Sequence, residues 1–158
     1  MAERLVAAEQ ARQAFTAGIL HDLGRLVMIA SDAAAYADVV RQVREGADAR
    51  DAERASFELD HCELGAETAA AWDFPDELIV AIAQHHDGGT PLADAVSNAR
   101  RIGLALGVGD GVAPSPEAPS DAEASDAERS DAAIVELLGG EDELHRRVSW
   151  FRETLRAA

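Results

Sequence analysis

Residues 15–27 read Phe-Thr-Ala-Gly-Ile-Leu-His-Asp-Leu-Gly-Arg-Leu-Val, and the adjacent pair His21 and Asp22 lies between two apolar segments. Apolar side chains that precede the pair recur at helical spacing: Leu5, Ala8, Ala11, Phe15 and Ile19. This spacing predicts a first helix that runs to Leu20, with His21 and Asp22 near its C-terminal end. An imidazole beside a carboxylate is a pair of metal-ligating groups, so the remaining histidines determine what the pair can do.

Helical patterns continue through residue 112, with few β-branched runs and no alternating strand pattern, so the sequence predicts an all-α fold. A linker through Asp48 leads to the segment 51–57. Residues that favour helix starts stand at Asp32, Asp60, Pro75 and Pro91, and helix-stopping glycines stand at Gly46 and Gly88-Gly89. Asp60 opens a helix that begins at His61, and the helix after Pro75 reaches His85.

The chain divides into three parts by composition. Residues 1–112 form the predicted helical domain. Residues 113–132 have no large apolar side chain and carry six acids against one Arg, which is typical of a disordered or loosely helical acidic linker. Residues 133–158 regain helical spacing, and we expect this C-terminal helical tail to dock on the core; its apolar positions include Leu144, Val148, Phe151 and Leu155.

The charge of the chain excludes some classes of partner. Its formal net charge of -16 would repel phosphate backbones, so we expect no nucleic-acid binding. No apolar run approaches the roughly 20 residues of a membrane-spanning helix, so we expect no membrane insertion. The single cysteine, Cys62, has no partner for an internal disulfide, and the acidic N-terminus is unlike a secretory signal. These features predict a cytoplasmic protein.

Four of the five histidines fall at the ends of predicted helices: His21, His61, His85 and His86. One interpretation is structural, because an imidazole suits a helix C-terminus and Asp22 could cap the next helix. On that interpretation His61 packs against its neighbours, and the His85–His86 pair has one ring inward and one exposed. The other interpretation is a partial metal site of His21, Asp22, His61 and one member of the pair, able to bind one metal weakly.

Several phrases of the sequence match one family in order. They are His21-Asp22-Leu-Gly24, His61-Cys-Glu-Leu-Gly65, Trp72-Asp-Phe-Pro75 and Ala81-Ile-Ala-Gln-His85-His86. Over about residues 12–110 the chain resembles the HDOD branch of the HD superfamily, the HD-related output domains of bacterial signalling proteins. The resemblance implies a compact multi-helix HD-like bundle. Family members usually carry a long helical stretch with a histidine ahead of the pair, so we expect this chain to correspond to the C-terminal part of such a domain.

Two departures from the HD pattern concern chemistry. HD hydrolases complete their site with an upstream His, which is absent here, and with a downstream Asp, whose position aligns near Ala99-Arg100. A guanidinium cannot ligate a metal and would repel one. Asp94 is expected to point elsewhere on the same helix. A further set of matching residues is interpreted as scaffold, with the aromatic side chains filling the core: Glu53, Phe57, Trp72 and Pro75.

The leading hypothesis is a signalling output or scaffold module that acts by binding a protein or a small ligand, with a degenerate metal site and no catalysis. The resemblance implies partners among signalling proteins, either response regulators or components of cyclic-nucleotide pathways. No cofactor is expected beyond Fe, Mn or Zn at the partial site, whose candidate ligands are His21, Asp22, His61, His85 and His86. The sequence indicates no oligomeric state.

Two alternatives stay open. The chain could be a metal-dependent phosphohydrolase of nucleotide phosphoesters, in which the candidate ligands hold metal and a metal-bound hydroxide attacks. It could also be a fragment whose exposed apolar faces need an N-terminal half before it functions.

Overall fold

The computed structural model describes residues 2–105 and the single residues 112, 140, 142, 143 and 146, with side chains described from residue 10 onward. Seven helices occupy this part: α1 (Ala2–Leu20), α2 (Leu23–Ser31), α3 (Ala33–Arg44), α4 (Ala49–Phe57), α5 (His61–Ala71), α6 (Asp76–Gln84) and α7 (Pro91–Ala105). The described residues contain no strand. The predicted all-α fold is therefore confirmed.

By its internal contacts the chain divides into two units, and the site lies in the first, Met1–Arg100 with Gly111–Pro114. The predicted linker, 113–132, and almost all of the predicted tail, 133–158, lie outside the described residues. Among the described helices, none is long and apolar enough to cross a membrane.

The helix starts follow the capping residues. The side chain of Asp32 accepts hydrogen bonds from the backbone N–H groups of Ala34 and Ala35 at 3.0 and 2.9 Å. Asp60 and Glu63 form a reciprocal capping box at the start of α5. Gly46, which ends α3, has φ of +105°, a backbone conformation that glycine adopts without strain.

Two apolar clusters hold the first unit together. One joins α2, α3 and α4 through Met28, Tyr36, Val39, Val43 and Ala52, with Val112 also packed there. The other joins α1, α6 and α7 through Ala17, Leu78, Ala81 and Val96. Helix α5 packs most extensively against α2 and α6, so it lies at the centre of the unit.

One expectation about aromatic side chains was wrong. Trp72 does not fill the core, because it caps α5 at its C-terminal end with 57% of its surface exposed. Phe15 and Ile19, on the apolar stripe expected for the first helix, are 71% and 65% exposed. Helix α1 instead packs on α6 and α7 through the small side chain of Ala17, which lies on a different face.

Candidate functional site

The site is built on a close approach between the N-terminal ends of α2 and α5. A Cβ atom at Gly24 would lie 2.0 Å from the carbonyl oxygen of His61, and one at Gly65 would lie 3.1 Å from the backbone nitrogen of Gly24. Only glycines allow the two backbones to meet at this distance. The contact places Asp22, directly before α2, beside His61, the first residue of α5.

The C-terminal end of α6 adds two further imidazoles. His85 follows the last residue of α6 and is fully buried, and His86 comes directly after it. The Nε2 atoms of His61 and His86 lie 2.9 Å apart. Asp22 Oδ1 lies 3.6 Å from His61 Nε2 and 3.7 Å from His85 Nε2.

His21 joins the same cluster from the turn after α1. Its Nε2 atom lies 3.3 Å from Asp22 Oδ2, and its ring stands edge-on to that of His85 with centroids 4.9 Å apart. All five side chains singled out in the sequence are therefore brought together, from three segments of the chain. We call them the His/Asp cluster: His21, Asp22, His61, His85 and His86.

Three of the four rings have one nitrogen committed to an acceptor outside the cluster. The Nδ1–H of His21 donates to the carbonyl oxygen of Gly18 at 2.8 Å, and that of His85 donates to Ile82 at the same distance. The Nδ1–H of His61 donates to the carboxylate of Glu53. Because those acceptors require a proton on Nδ1, the rings of His61 and His85 turn an Nε2 lone pair towards the cluster whenever they are neutral. His21 differs, because it also donates through Nε2 to Asp22 and is then protonated on both nitrogens.

Two polar atoms inside the cluster are buried without a hydrogen bond. They are Asp22 Oδ1 and His85 Nε2, and neither has a hydrogen-bond partner in the part of the chain that the structure describes. Leaving a buried acceptor unsatisfied costs free energy, about 1–3 kcal/mol for each group. Two converging acceptors of this kind are what a cation would satisfy.

Burial and neighbouring charges set the protonation states. Burial lowers the pKa of His85 to about 4 and that of His86 to about 3, so both rings are neutral at pH 7. For Asp22 burial opposes ionisation, but the hydrogen bond from His21 and the charge of Arg25 lower its pKa, so it is a carboxylate. For His21 burial would lower the pKa, but its hydrogen bond to Asp22 and the charge of that carboxylate raise it.

The donor set fits a divalent transition metal. The ligand atoms of His21, Asp22 and His85 lie within 4.8 Å of one another, and so do those of His61, His85, His86 and Cys62. Neutral imidazoles with one carboxylate suit ions such as Zn²⁺ or Fe²⁺ better than Mg²⁺ or Ca²⁺, which prefer oxygen. His85 belongs to both groups and links them.

Cys62 is a poor ligand in this set. Its Sγ atom lies 3.5 Å from His61 Nε2, but burial and the nearby charge of Asp60 raise the pKa of the thiol to about 12. Metals bind the thiolate, so binding through Sγ would require this thiol to lose its proton.

Two charged residues at the site, Arg25 and Glu53, were not among the predicted site residues. Arg25 is only 5% exposed, and its Nη1 donates to Asp22 Oδ2 at 3.1 Å. Its Nε lies 3.6 Å from Glu53 Oε1. Glu53 was interpreted as scaffold, but it is fully buried and accepts hydrogen bonds from both the ring and the backbone N–H of His61. The local sequence gave no sign of this burial, because Glu53 is a carboxylate on an otherwise polar helix.

A second ion-pair group fixes the start of α5. The buried carboxylate of Asp60 accepts from Arg50 Nε at 2.7 Å and from Arg54, and it also caps the backbone N–H of Glu63 at 2.9 Å. Burial opposes ionisation of Asp60, but the backbone hydrogen bond from Glu63 and the side-chain hydrogen bond from Arg50 lower its pKa. The neighbouring residue, His61, is thereby held in place.

Arg100, at the position that was expected to match the downstream Asp of HD hydrolases, places a cation near the cluster. The charge of Arg100, on α7, contributes to lowering the pKa of His86 after burial and the charge of His85. Asp94 serves a different purpose, because its Oδ1 accepts a hydrogen bond from the backbone N–H of Gly89 at 2.9 Å.

Comparison with protein families identifies the fold. The model of the HDOD domain matches residues 1–88, which is more than half of the 158-residue chain and contains the whole His/Asp cluster. No curated protein and no solved structure matches the chain. The family match shows that the chain belongs to the HDOD domain family.

Proposed function

We propose that this chain is a bacterial signalling module that acts by binding other molecules, and that its His/Asp cluster holds a single divalent transition metal without hydrolytic turnover. Membership of the HDOD family supports an HD-like module associated with signalling in general. Cytoplasmic location, and partners among response regulators or cyclic-nucleotide pathway components, belong to the same proposal and are supported by the family alone.

One observation carries the metal part of the proposal. Three rings, of His21, His61 and His85, have Nδ1 fixed by outside acceptors, while the buried atoms Asp22 Oδ1 and His85 Nε2 have no hydrogen-bond partner among the described residues. The contact between Glu53 and His61 is the carboxylate–histidine arrangement that fixes the ring of a metal ligand. The residues that would hold the ion are Asp22, His61 and His85, with His21 or His86 completing the set.

The charge around the cluster favours one ion and binding over hydrolysis. Asp22 and Glu53 supply two negative charges, and the buried guanidinium of Arg25 offsets one of them. Two divalent ions would bring four positive charges into this setting, with Arg100 adding another nearby. A bound ion would supply Lewis acidity, but a two-metal centre of the kind that activates water for phosphoester hydrolysis lacks its counter-charges.

Metal content and turnover test the proposal directly. We expect purified protein loaded with Zn²⁺ or Fe²⁺ to retain about one ion per chain by mass spectrometry, and His85→Ala to lose it, because His85 belongs to both ligand groups. His145→Ala is the matched control, since His145 is not among the candidate ligands. Mg²⁺ should bind more weakly than Zn²⁺ in calorimetry.

The hydrolase alternative is tested with the same samples. Metal-loaded protein should leave cyclic and linear nucleotides intact. Hydrolysis that is lost in His85→Ala and retained in His145→Ala would instead establish the enzyme and overturn the binding proposal. Retention of the full metal content in His85→Ala would overturn the assignment of the ligands.

A further inference from the structure

An apolar groove lies between α1, α6 and α7, apart from the His/Asp cluster. Its volume is about 660 Å³. Its walls include Ala11 and Ala14 on α1, Val80 on α6, and Leu92 and Ala95 on α7. The groove begins where the apolar cluster of Ala17 and Val96 ends. The small alanines of α1 leave space there, which larger side chains would fill.

The groove and the His/Asp cluster are at opposite ends of α6. Asp76, at the first turn of α6, lines the groove, whereas His85 follows the last turn. They are nine positions apart in the sequence, which corresponds to about 13 Å along the helix. The groove is therefore a second site, which the metal chemistry does not explain.

The apolar surface extends beyond the groove along α1. Ala11, Phe15 and Ile19 follow one another at intervals of four residues and so share one face of the helix. Phe15 and Ile19 are 71% and 65% exposed. Exposed large apolar side chains that continue a groove mark a protein-binding surface, since a small ligand enclosed in the groove would leave them in water.

The charge at the groove has one sign. Asp76 and Glu77 lie at its rim, both exposed, and no Lys or Arg is among the residues that line it. The chain as a whole carries a net charge of -16. A complementary partner therefore carries basic side chains beside its apolar ones. The same charge disfavours a second copy of this chain, which would bring its own acids to the contact.

We propose that this groove binds an amphipathic helix of another protein, with its apolar side chains between α1 and α7 and its basic side chains at Asp76 and Glu77. A helix fits because the groove runs between helices, and a further helix packs there with its apolar face inward. The inference rests on the proposed function only in that both require a module that works by protein contacts.

The test uses the full chain and a designed probe. The probe is a fluorescein-labelled peptide of about 18 residues with leucines on one helical face and arginines on the others, and binding is followed by fluorescence anisotropy in EDTA. One comparison peptide has Glu at every Arg position, and another has the same composition in an order without an apolar face. Because EDTA removes metal, the result is independent of the metal proposal.

Variants of the chain locate the binding site. Ala14→Leu fills the groove and should weaken binding of the basic peptide roughly tenfold, whereas Ala37→Leu, on an exposed position of α3, should not. Asp76→Asn combined with Glu77→Gln should weaken binding and reduce its dependence on salt. Asp51→Asn with Glu67→Gln removes two exposed carboxylates elsewhere and controls for net charge. Circular dichroism confirms that each variant is folded.

The expected result is micromolar binding of the basic amphipathic peptide, at least roughly tenfold weaker binding of both comparison peptides, and loss in the groove variants alone. Equal binding by the peptide without an apolar face would show non-specific charge attraction and overturn the proposal. A last competitor is an unlabelled peptide of residues 144–158. If it displaces the probe and binds more tightly than the probe, the groove belongs to this chain's own segment and the proposal is overturned.

Discussion

At the scale of single residues, Glu53 connects the two halves of the candidate metal site. Its carboxylate accepts two hydrogen bonds from His61 and lies beside the guanidinium of Arg25. Arg25 in turn donates to Asp22. One buried acid thus orients a ligand imidazole and holds the cation that balances the ligand carboxylate.

Removing the charge of Glu53 should destabilise the fold. Glu53→Gln keeps the size of the side chain but places amide hydrogens next to Arg25 or His61, so a buried donor faces another donor. We expect the free energy of unfolding, measured in urea, to fall by about 2–4 kcal/mol, because one partner of a buried pair has been lost. Glu67→Gln, on an exposed position of α5, should change it by less than about 0.5 kcal/mol. Equal values for the two variants would contradict the central place given to Glu53.

At the scale of helices, the backbone contact between α2 and α5 positions the site. We expect Gly24→Ala to lower the free energy of unfolding by about 3 kcal/mol or more, because its Cβ would meet the carbonyl oxygen of His61 at 2.0 Å. Gly18→Ala is the control: nothing lies within 4 Å of that Cβ, so the helix-favouring alanine should stabilise α1 by about 0.5–1 kcal/mol. Thermal and urea unfolding of both variants measure the difference, and the same sign for both would refute the contact.

The helices also show which structural features could be predicted from the sequence. Starts at Asp32, Asp60 and Pro91 were predictable because capping and φ restriction act within a few residues. Helix α4 gave no apolar pattern, since its two buried residues are Ala52 and the acid Glu53. One partner of Arg25, Asp22, is three residues away, but the other, Glu53, lies far along the chain, so the burial of Arg25 could not be derived locally.

The candidate site could likewise be predicted in part: its residues could be identified from the sequence, but their arrangement could not. His21, Asp22, His61, His85 and His86 could be identified because imidazoles and carboxylates at helix ends are distinctive in a chain with five histidines. Their mutual distances depend on Gly24 and Gly65, whose role emerges only when α2 and α5 are packed together.

At the scale of the whole molecule, the net charge of the chain differs from the charge balance at the candidate site. The chain carries a large negative excess, yet at the His/Asp cluster the carboxylate of Asp22 and that of the neighbouring Glu53 are offset in part by Arg25. The buried rings of His85 and His86 are neutral at pH 7. The stability of the metal-free fold therefore depends on keeping these two rings unprotonated.

On acidification, the metal-free protein should begin to lose stability at a pH well above the pKa range of exposed carboxylates. Burial lowers the pKa of His85 to about 4 and that of His86 to about 3, whereas both stay near about 6.5 in the unfolded chain. Between these values the unfolded state binds protons that the folded state does not. Stability is thus present above about pH 6.5 and is lost as the pH falls, by about 1.4 kcal/mol per pH unit for each proton.

His21 acts in the opposite direction, because its raised pKa gives stability below about pH 6.5 that is lost as the pH rises through the folded value. The loss of stability from His85 and His86 outweighs the gain from His21. We therefore expect the free energy of unfolding in urea with EDTA to fall by several kcal/mol between pH 6.5 and 4.5. His86→Gln should reduce the slope, since one of the two excess protons is gone, while Glu67→Gln should leave it unchanged. A free energy of unfolding that stays constant down to pH 5 would show that the buried rings are already protonated in the fold, and would remove them as neutral metal ligands.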